Sequence, residues 1–233
     1  MRVHPAPLGP AAHAERSTVL GDLQAGWQEV RTRPWLWVTI AVFTGAVLCM
    51  FAQWYALAPS VSRDLYGSAA IFGLLEGVAG GGALVGSLAG VRWRPAHPLR
   101  TGLLLVFAWP AQAIAFAGAA PVWTIVVLAF AIGFGFSLFG VWWKTALANN
   151  VPAHLLSRVS AWDWMGSLAL LPVGYLIAAP LAAALGARTV LGAGGMIGFA
   201  LLAVALVPRS TRRLRGGAPS PAERPGVLVG DPR

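Results

Sequence analysis

Charge is scarce in this sequence of 233 residues. Asp, Glu, Lys and Arg make up 11% of it, against about 25% in a soluble domain. That deficit, with 57% hydrophobic residues and a mean hydropathy of +0.68, excludes an ordinary water-soluble globule and points to lipid as the solvent. Cysteine is nearly missing. Cys49 is the single one and lies inside an apolar run, which leaves no disulfide framework and no CxxC metal site. Lysine is limited to Lys144. The histidines, His4, His13, His97 and His154, fall outside the apolar runs and too far apart to hold a metal. No Ser/His or Cys/His arrangement lies within the runs, so an intramembrane hydrolase has no nucleophile and base, and the chain reads as a non-enzyme without cofactor. The loop G-x-x-x-x-G-K-S/T does not occur, which argues against ATP-driven pumping by this chain. Nor is there a signal peptide: residues 1–33 hold Arg2, Arg16, Arg31 and Arg33 but no apolar core. The net charge of +9 would suit nucleic acid, but the arginines sit between the apolar runs and in the tails rather than on one helix face.

What is present is apolar length. A spanning helix needs about 20 mostly apolar residues, and six stretches meet that requirement: about 34–60, 68–90, 98–120, 121–143, 162–186 and 188–208. The stretch Val141–Tyr175 shows the pattern best. One apolar run ends at Trp142, Trp143 and Lys144, a short polar elbow comes next, and a second run starts at Trp162-Asp163-Trp164. Before the six spans, residues 1–33 read as a linker. Within it Leu20, Leu23 and Trp27 recur at helical spacing, which fits a short interfacial helix or an exposed linker equally well. Residues 209–233 are basic, rich in Pro and Gly, and read as a disordered tail.

Charge placement gives the orientation. With six crossings, the loops on the side of the two termini hold all of the 17 lysines and arginines except Arg63 and Arg188. Basic loops stay in the cytoplasm, so both termini are expected inside a cell membrane that the chain crosses six times.

The second span carries Gly73, Gly77 and Gly81, then Gly82, Gly86 and Gly90, at four-residue steps that make a flat stripe for close packing. The sixth has little polarity beyond Thr189 and suits a lipid-facing place. Spans one, four and five carry Thr39, Thr44, Gln53, Thr124, Ser137, Ser167 and Tyr175, and are the better candidates to line a polar path. In the third span Trp109-Pro110 predicts a kink, with Gln112 placed to serve the freed carbonyl.

Two stretches carry a family likeness. Gly86-Ser87-Leu88-Ala89-Gly90-Val91-Arg92-Trp93-Arg94-Pro95 resembles the loop signature of the major facilitator superfamily, G-x-L-A-D-R-x-G-R-R, in its degenerate second-half copy; Gly90 stands where Asp is expected, and the loop glycine is missing. The stretch Val151-Pro152, Leu156-Ser157-Arg158-Val159-Ser160, Asp163 and Gly166 to Tyr175 looks like the entry to helix eleven in facilitator-type drug and siderophore exporters. With Trp35-Leu36-Trp37 after a basic linker, the resemblance covers about residues 21–208. It implies helices seven to twelve of a twelve-helix permease: an all-α integral membrane half, built of two inverted three-helix repeats, 34–120 and 121–208. The function implied is secondary-active export of small molecules. The chain would then be a truncated or split product, the partner of a separate amino-terminal half, or one copy of a homodimer; the first is favoured. A scaffold that kept the fold without transport is the competing reading.

Glu76 is the only acid well inside a span, where a bare charge costs at least a few kcal/mol. It reads either as a proton-coupling carboxylate or as a bonded structural acid. Gln53, Trp54 and Tyr55 read as interfacial belt residues before substrate contacts, and Tyr175 as a path residue. Where the family resemblance implies an acid followed by Thr, the fourth span ends in Lys144-Thr145. That leaves Asp163 as the cytoplasmic anion for Arg92, Arg94 or Arg158, a latch between helix ends. Lipid, an unidentified small molecule and a second half or second copy are the partners implied.

Overall fold

The computed structural model describes residues 19–213. The loop expected at residues 1–18, and the basic tail from residue 214 onward, lie outside the described residues. Within them the chain is all helix, and six helices are long and apolar enough to cross a membrane: Pro34–Tyr66, Ala70–Arg92, Pro98–Ala117, Val122–Asn150, Leu156–Leu185 and Ala187–Ala205. The number matches the sequence reading, but several ends do not. The first span runs on to Tyr66, and Gly67, at φ 75°, caps it with its amide on the Arg63 carbonyl at 3.0 Å. Only a left-handed residue closes the turn there, which suits glycine. The fourth span continues past Trp143 to Asn150, because Lys144 to Asn150 are adequate helix formers once outside lipid. Pro152 stops it by forcing Val151 into an extended conformation. The fifth span starts at Leu156, well before Trp162.

Prolines break two spans where their missing N–H groups would fall. The third span is interrupted at Phe107, one turn before Pro110, and the fifth at Ala169–Leu170, just before Pro172. Gln112 does not serve the freed carbonyl as expected. Its Nε2 instead donates to the Ile125 carbonyl at 3.1 Å, tying the third span to the fourth. The first span contains a feature with no sequence signature, a π-helical turn at Val47–Phe51.

Close contacts fix the direction of each span. A Cβ on Gly82 would strike the Phe130 carbonyl, one on Gly86 would come within 2.5 Å of the Phe134 carbonyl, and one on Gly133 would strike the Ala79 carbonyl. The second and fourth spans therefore run parallel, backbone on backbone. Only half of the expected glycine stripe makes this contact: Gly73, Gly77 and Gly81 have nothing within 4 Å of such a Cβ. Thr44 Oγ1 donates to the Gly166 carbonyl at 2.6 Å and Gln53 Nε2 to the Gly174 carbonyl at 3.0 Å, so the first and fifth spans also run parallel. The sixth is antiparallel to the first, with Gly194 on the Cys49 carbonyl and Gly45 on Leu201. Six alternating crossings satisfy all these registers.

The sixth span is not simply lipid-facing. Val190, Leu191, Gly194, Gly198 and Leu202 are buried against the first and third spans, while Met196 and Phe199 face outward. The least covered spans are the second and fifth, with 17% and 11% of their apolar windows buried. A preceding helix, Val19–Thr32, packs on the start of the fifth span through Gly26 and through Trp27, whose ring lies 5.0 Å from that of Trp162. Arg33 Nε donates to Glu29 Oε1 at 2.8 Å and holds the elbow into the first span. At the other end of the bundle, Arg188 Nε and Nη2 both donate to the Ala117 carbonyl, at 3.1 and 2.9 Å. That cation caps a helix terminus, where its charge is favourable.

Candidate functional site

Glu76 stands early in the second span and is held from the first. Trp54 Nε1 donates to its Oε1 at 2.9 Å, and Tyr55 OH donates to its Oε2 at 2.8 Å. Consecutive helix residues point about 100° apart, so two neighbouring side chains can embrace one carboxylate from either flank. Trp54 is fixed by packing: its ring meets Phe116 edge-on at 5.0 Å, and Tyr55 rests on Phe51 at 4.7 Å. Gln53 and Trp54 are buried. Gln53 and Trp54 are therefore not the interfacial belt expected of them, while Tyr55 keeps an exposed face. Trp54 and Tyr55 turn inward to Glu76, and Gln53 turns toward the fifth span, where it also reaches the Leu48 carbonyl of the π turn at 3.3 Å.

Asp163 has a similar partner. Trp143 Nε1 donates to its Oδ2 at 2.8 Å. The Trp143 ring is itself set edge-on against Trp35 at 5.5 Å and stacked on Phe139 at 5.8 Å. Among the described residues Asp163 forms no ion pair with Arg92, Arg94 or Arg158. Arg92, the last residue of the second span, and Arg94, just beyond it, lie exposed, and the Arg158 backbone packs on Gly26. The contact that Asp163 makes with another span is the indole of Trp143 on the fourth.

The two pairs occupy matching places in their spans. Trp54 and Trp143 lie 20 and 21 residues beyond the first residue of the first and fourth spans, and Glu76 and Asp163 lie 6 and 7 beyond that of the second and fifth. The first and fourth spans run in opposite directions, so the pairs lie toward opposite ends of the bundle. Asp163 precedes Gly166, which is level with Thr44, whereas Glu76 is level with Trp54 and Tyr55. Ten or more helical residues separate those levels, on the order of 20 Å.

Between them lies a cavity of about 700 Å³, lined from the first five spans. Its lining reaches from Tyr55 and Glu76 at one end to Trp143 and Asp163 at the other. Phe43, Phe51, Trp109, Phe136, Phe139 and Trp164 line the wall between, together with small and aliphatic residues. Among the described residues Glu76 and Asp163 are the only charged side chains in the lining. Ser137, Ser167 and Thr39 add hydroxyls, though that of Thr39 is committed to the Trp35 carbonyl at 2.7 Å. Gln53 and Tyr175 are not part of the wall; Tyr175 is exposed.

Sequence reasoning found both acids but missed their indoles. The available signal was a Trp near the end of one apolar run and an acid about 20 residues on, early in the next run, occurring twice. Such a site offers aromatic faces and a carboxyl group at each end, chemistry that suits a lipophilic body carrying positive charge. No protein-family model, curated protein or solved structure matches the chain, so the chemistry of the cavity rests on its own residues.

Proposed function

We propose that this chain is one half of a secondary-active, facilitator-type permease that exports lipophilic small molecules, with cations favoured over anions. In this reading the six spans are two inverted three-helix repeats, both termini are cytoplasmic, and the aromatic cavity is the substrate path. The carrying observation is the cavity itself, flanked by Glu76 and Asp163 with no cation in its wall. A repeated indole–carboxylate pair at matching offsets is what inverted repeats would produce. The sparsely covered second and fifth spans are the faces available to a second half, whether a separate chain or a second copy. Glu76 serves as the coupling carboxylate. A proton and a cationic substrate compete for it, so entry of one displaces the other and their fluxes run in opposite directions.

The test is flux. Proteoliposomes holding the chain under an imposed pH gradient should accumulate a fluorescent lipophilic cation such as ethidium, and Glu76→Gln should remove the dependence on the gradient. The experiment is run with the chain alone and with any second half that copurifies with it. Cation uptake equal to that of protein-free vesicles in both settings would overturn the reading.

A further inference from the structure

A second cavity, of about 260 Å³, is lined by His97, Arg100, Arg209 and Arg212. The fold assembles it from two distant parts of the chain. Pro98 opens the helix of the third span directly after His97, which puts Arg100 on the first turn. The sixth span ends at Ala205, and the chain turns into the short helix Arg209–Arg213. Thr211 of that helix is fully buried, and the helix packs against the beginnings of the first and third spans. Arg209 and Arg212 are thereby brought beside His97 and Arg100.

Among the described residues no acid lines this cavity. Among the described residues Arg100 and Arg209 have no hydrogen-bond or ion-pair partner, and Arg212 makes one long bond of 3.4 Å to the Val207 carbonyl. Glu29, on the helix before the first span, is already paired with Arg33. Three guanidinium groups around one space repel each other until an anion enters between them. Guanidinium forks match phosphate oxygens in geometry. The cavity also sits where two spans leave the apolar layer, the depth at which lipid phosphates lie. Leu104, about one turn into the third span from Arg100, and Val207, between the end of the sixth span and Arg209, are exposed. Acyl chains would have apolar surface directly beneath the arginines, which a free phosphate has no use for.

We propose that this cavity binds the phosphodiester headgroup of an acidic phospholipid, with Arg100, Arg209 and Arg212 as donors to its oxygens. The lipid bridges the start of the third span and the helix after the sixth. The site is separate from the aromatic cavity and holds whether or not the chain transports anything.

Native mass spectrometry of the detergent-purified chain tests this, with phosphatidylglycerol, phosphatidylcholine and inorganic phosphate as probes. Phosphatidylglycerol should bind at least ten-fold more tightly than phosphatidylcholine. Changing Arg100, Arg209 and Arg212 together to Gln should erase that preference, and changing all three to Lys should keep part of it, which separates loss of charge from loss of fold. Changing Arg92 and Arg94 to Gln should leave it intact, since those arginines lie at the same end of the bundle but outside the cavity. Equal binding of the two lipids, a preference that survives the triple Gln variant, or an equal loss on changing Arg92 and Arg94 overturns the site. Inorganic phosphate that is retained by the chain and displaces phosphatidylglycerol overturns the lipid assignment in favour of a soluble anion.

Discussion

The pairs Trp54–Glu76 and Trp143–Asp163 are alike in residue type and in their place along the spans, but they are not equally closed. Glu76 has a donor on each oxygen, Trp54 on one and Tyr55 on the other. Asp163 has one described donor, Trp143, on one oxygen. A ligand approaching Asp163 finds a free acceptor, whereas one approaching Glu76 must displace an existing bond or join it. Matching positions therefore need not mean matching roles. In the proposed exporter the Asp163 end would take first contact, and the Glu76 end the step that changes bonding.

The comparison depends on the frame that holds the pairs apart, and breaking that frame should have the largest effect. Gly133→Ala drives a methyl into the Ala79 carbonyl, with backbone on both sides and no side chain to yield. It should destabilise the chain by about 3 kcal/mol or more, read as a lowered midpoint of thermal unfolding in detergent. Gly77→Ala, in the open half of the same stripe, should be neutral or stabilising by up to about 1 kcal/mol. Similar midpoints for the two variants would show that the second and fourth spans do not pack as described.

Next in size is the split between the acids in transport. In the proposed exporter Glu76→Gln should lower gradient-driven flux by roughly ten-fold or more, because the coupling role proposed for Glu76 has no neutral substitute. Asp163→Asn, which keeps an oxygen acceptor for Trp143, should lower it roughly two- to five-fold, the equivalent of about one neutral hydrogen bond. The reverse order would exchange the roles assigned to the two ends.

The indoles provide a stability test of the same contrast. Trp143→Phe removes the only described donor to Asp163 and should cost about 2–3 kcal/mol. Trp54→Phe leaves Tyr55 on Glu76 and should cost about 1–2 kcal/mol. Equal losses would mean that Asp163 has support beyond Trp143. The smallest expected change is Tyr55→Phe, about 1 kcal/mol, since Trp54 still anchors one oxygen. Its value lies in flux: by freeing an oxygen of Glu76, it should make that end behave more like the Asp163 end, with weaker dependence on the gradient.

Much of this architecture was legible in the sequence because lipid imposes a simple rule of length and polarity. The six spans, and the interruption before Pro110, can be read from the residues one run at a time. The helix ends were not legible, because Lys144 to Asn150 and Leu156 to Ala161 are polar enough to leave lipid and helical enough to keep winding. Glu76 and Asp163 stood out as isolated acids, but their partners are set by which faces meet, and the sequence carries that only as a faint repeat of Trp and acid. The belt reading of Trp54 failed for that reason: an aromatic residue near a span end looks the same whether it faces headgroups or a carboxyl group on the next span. The basic residues of the third-span start and the chain beyond the sixth are visible as charges, but their convergence depends on the seating of Thr211.

The π turn at Val47–Phe51 sets the phase of the far half of the first span. It contains about one residue more than regular winding would need, and each added residue rotates the remainder of a helix by about 100°. Thr39 and Phe43 before it and Trp54 and Tyr55 after it all reach the same cavity because that offset has been absorbed between them. A single-codon deletion inside the π turn would therefore take out the absorbed residue and leave the far half facing Glu76, whereas the same deletion in the regular winding on either side would turn that half away from the cavity by about 100°.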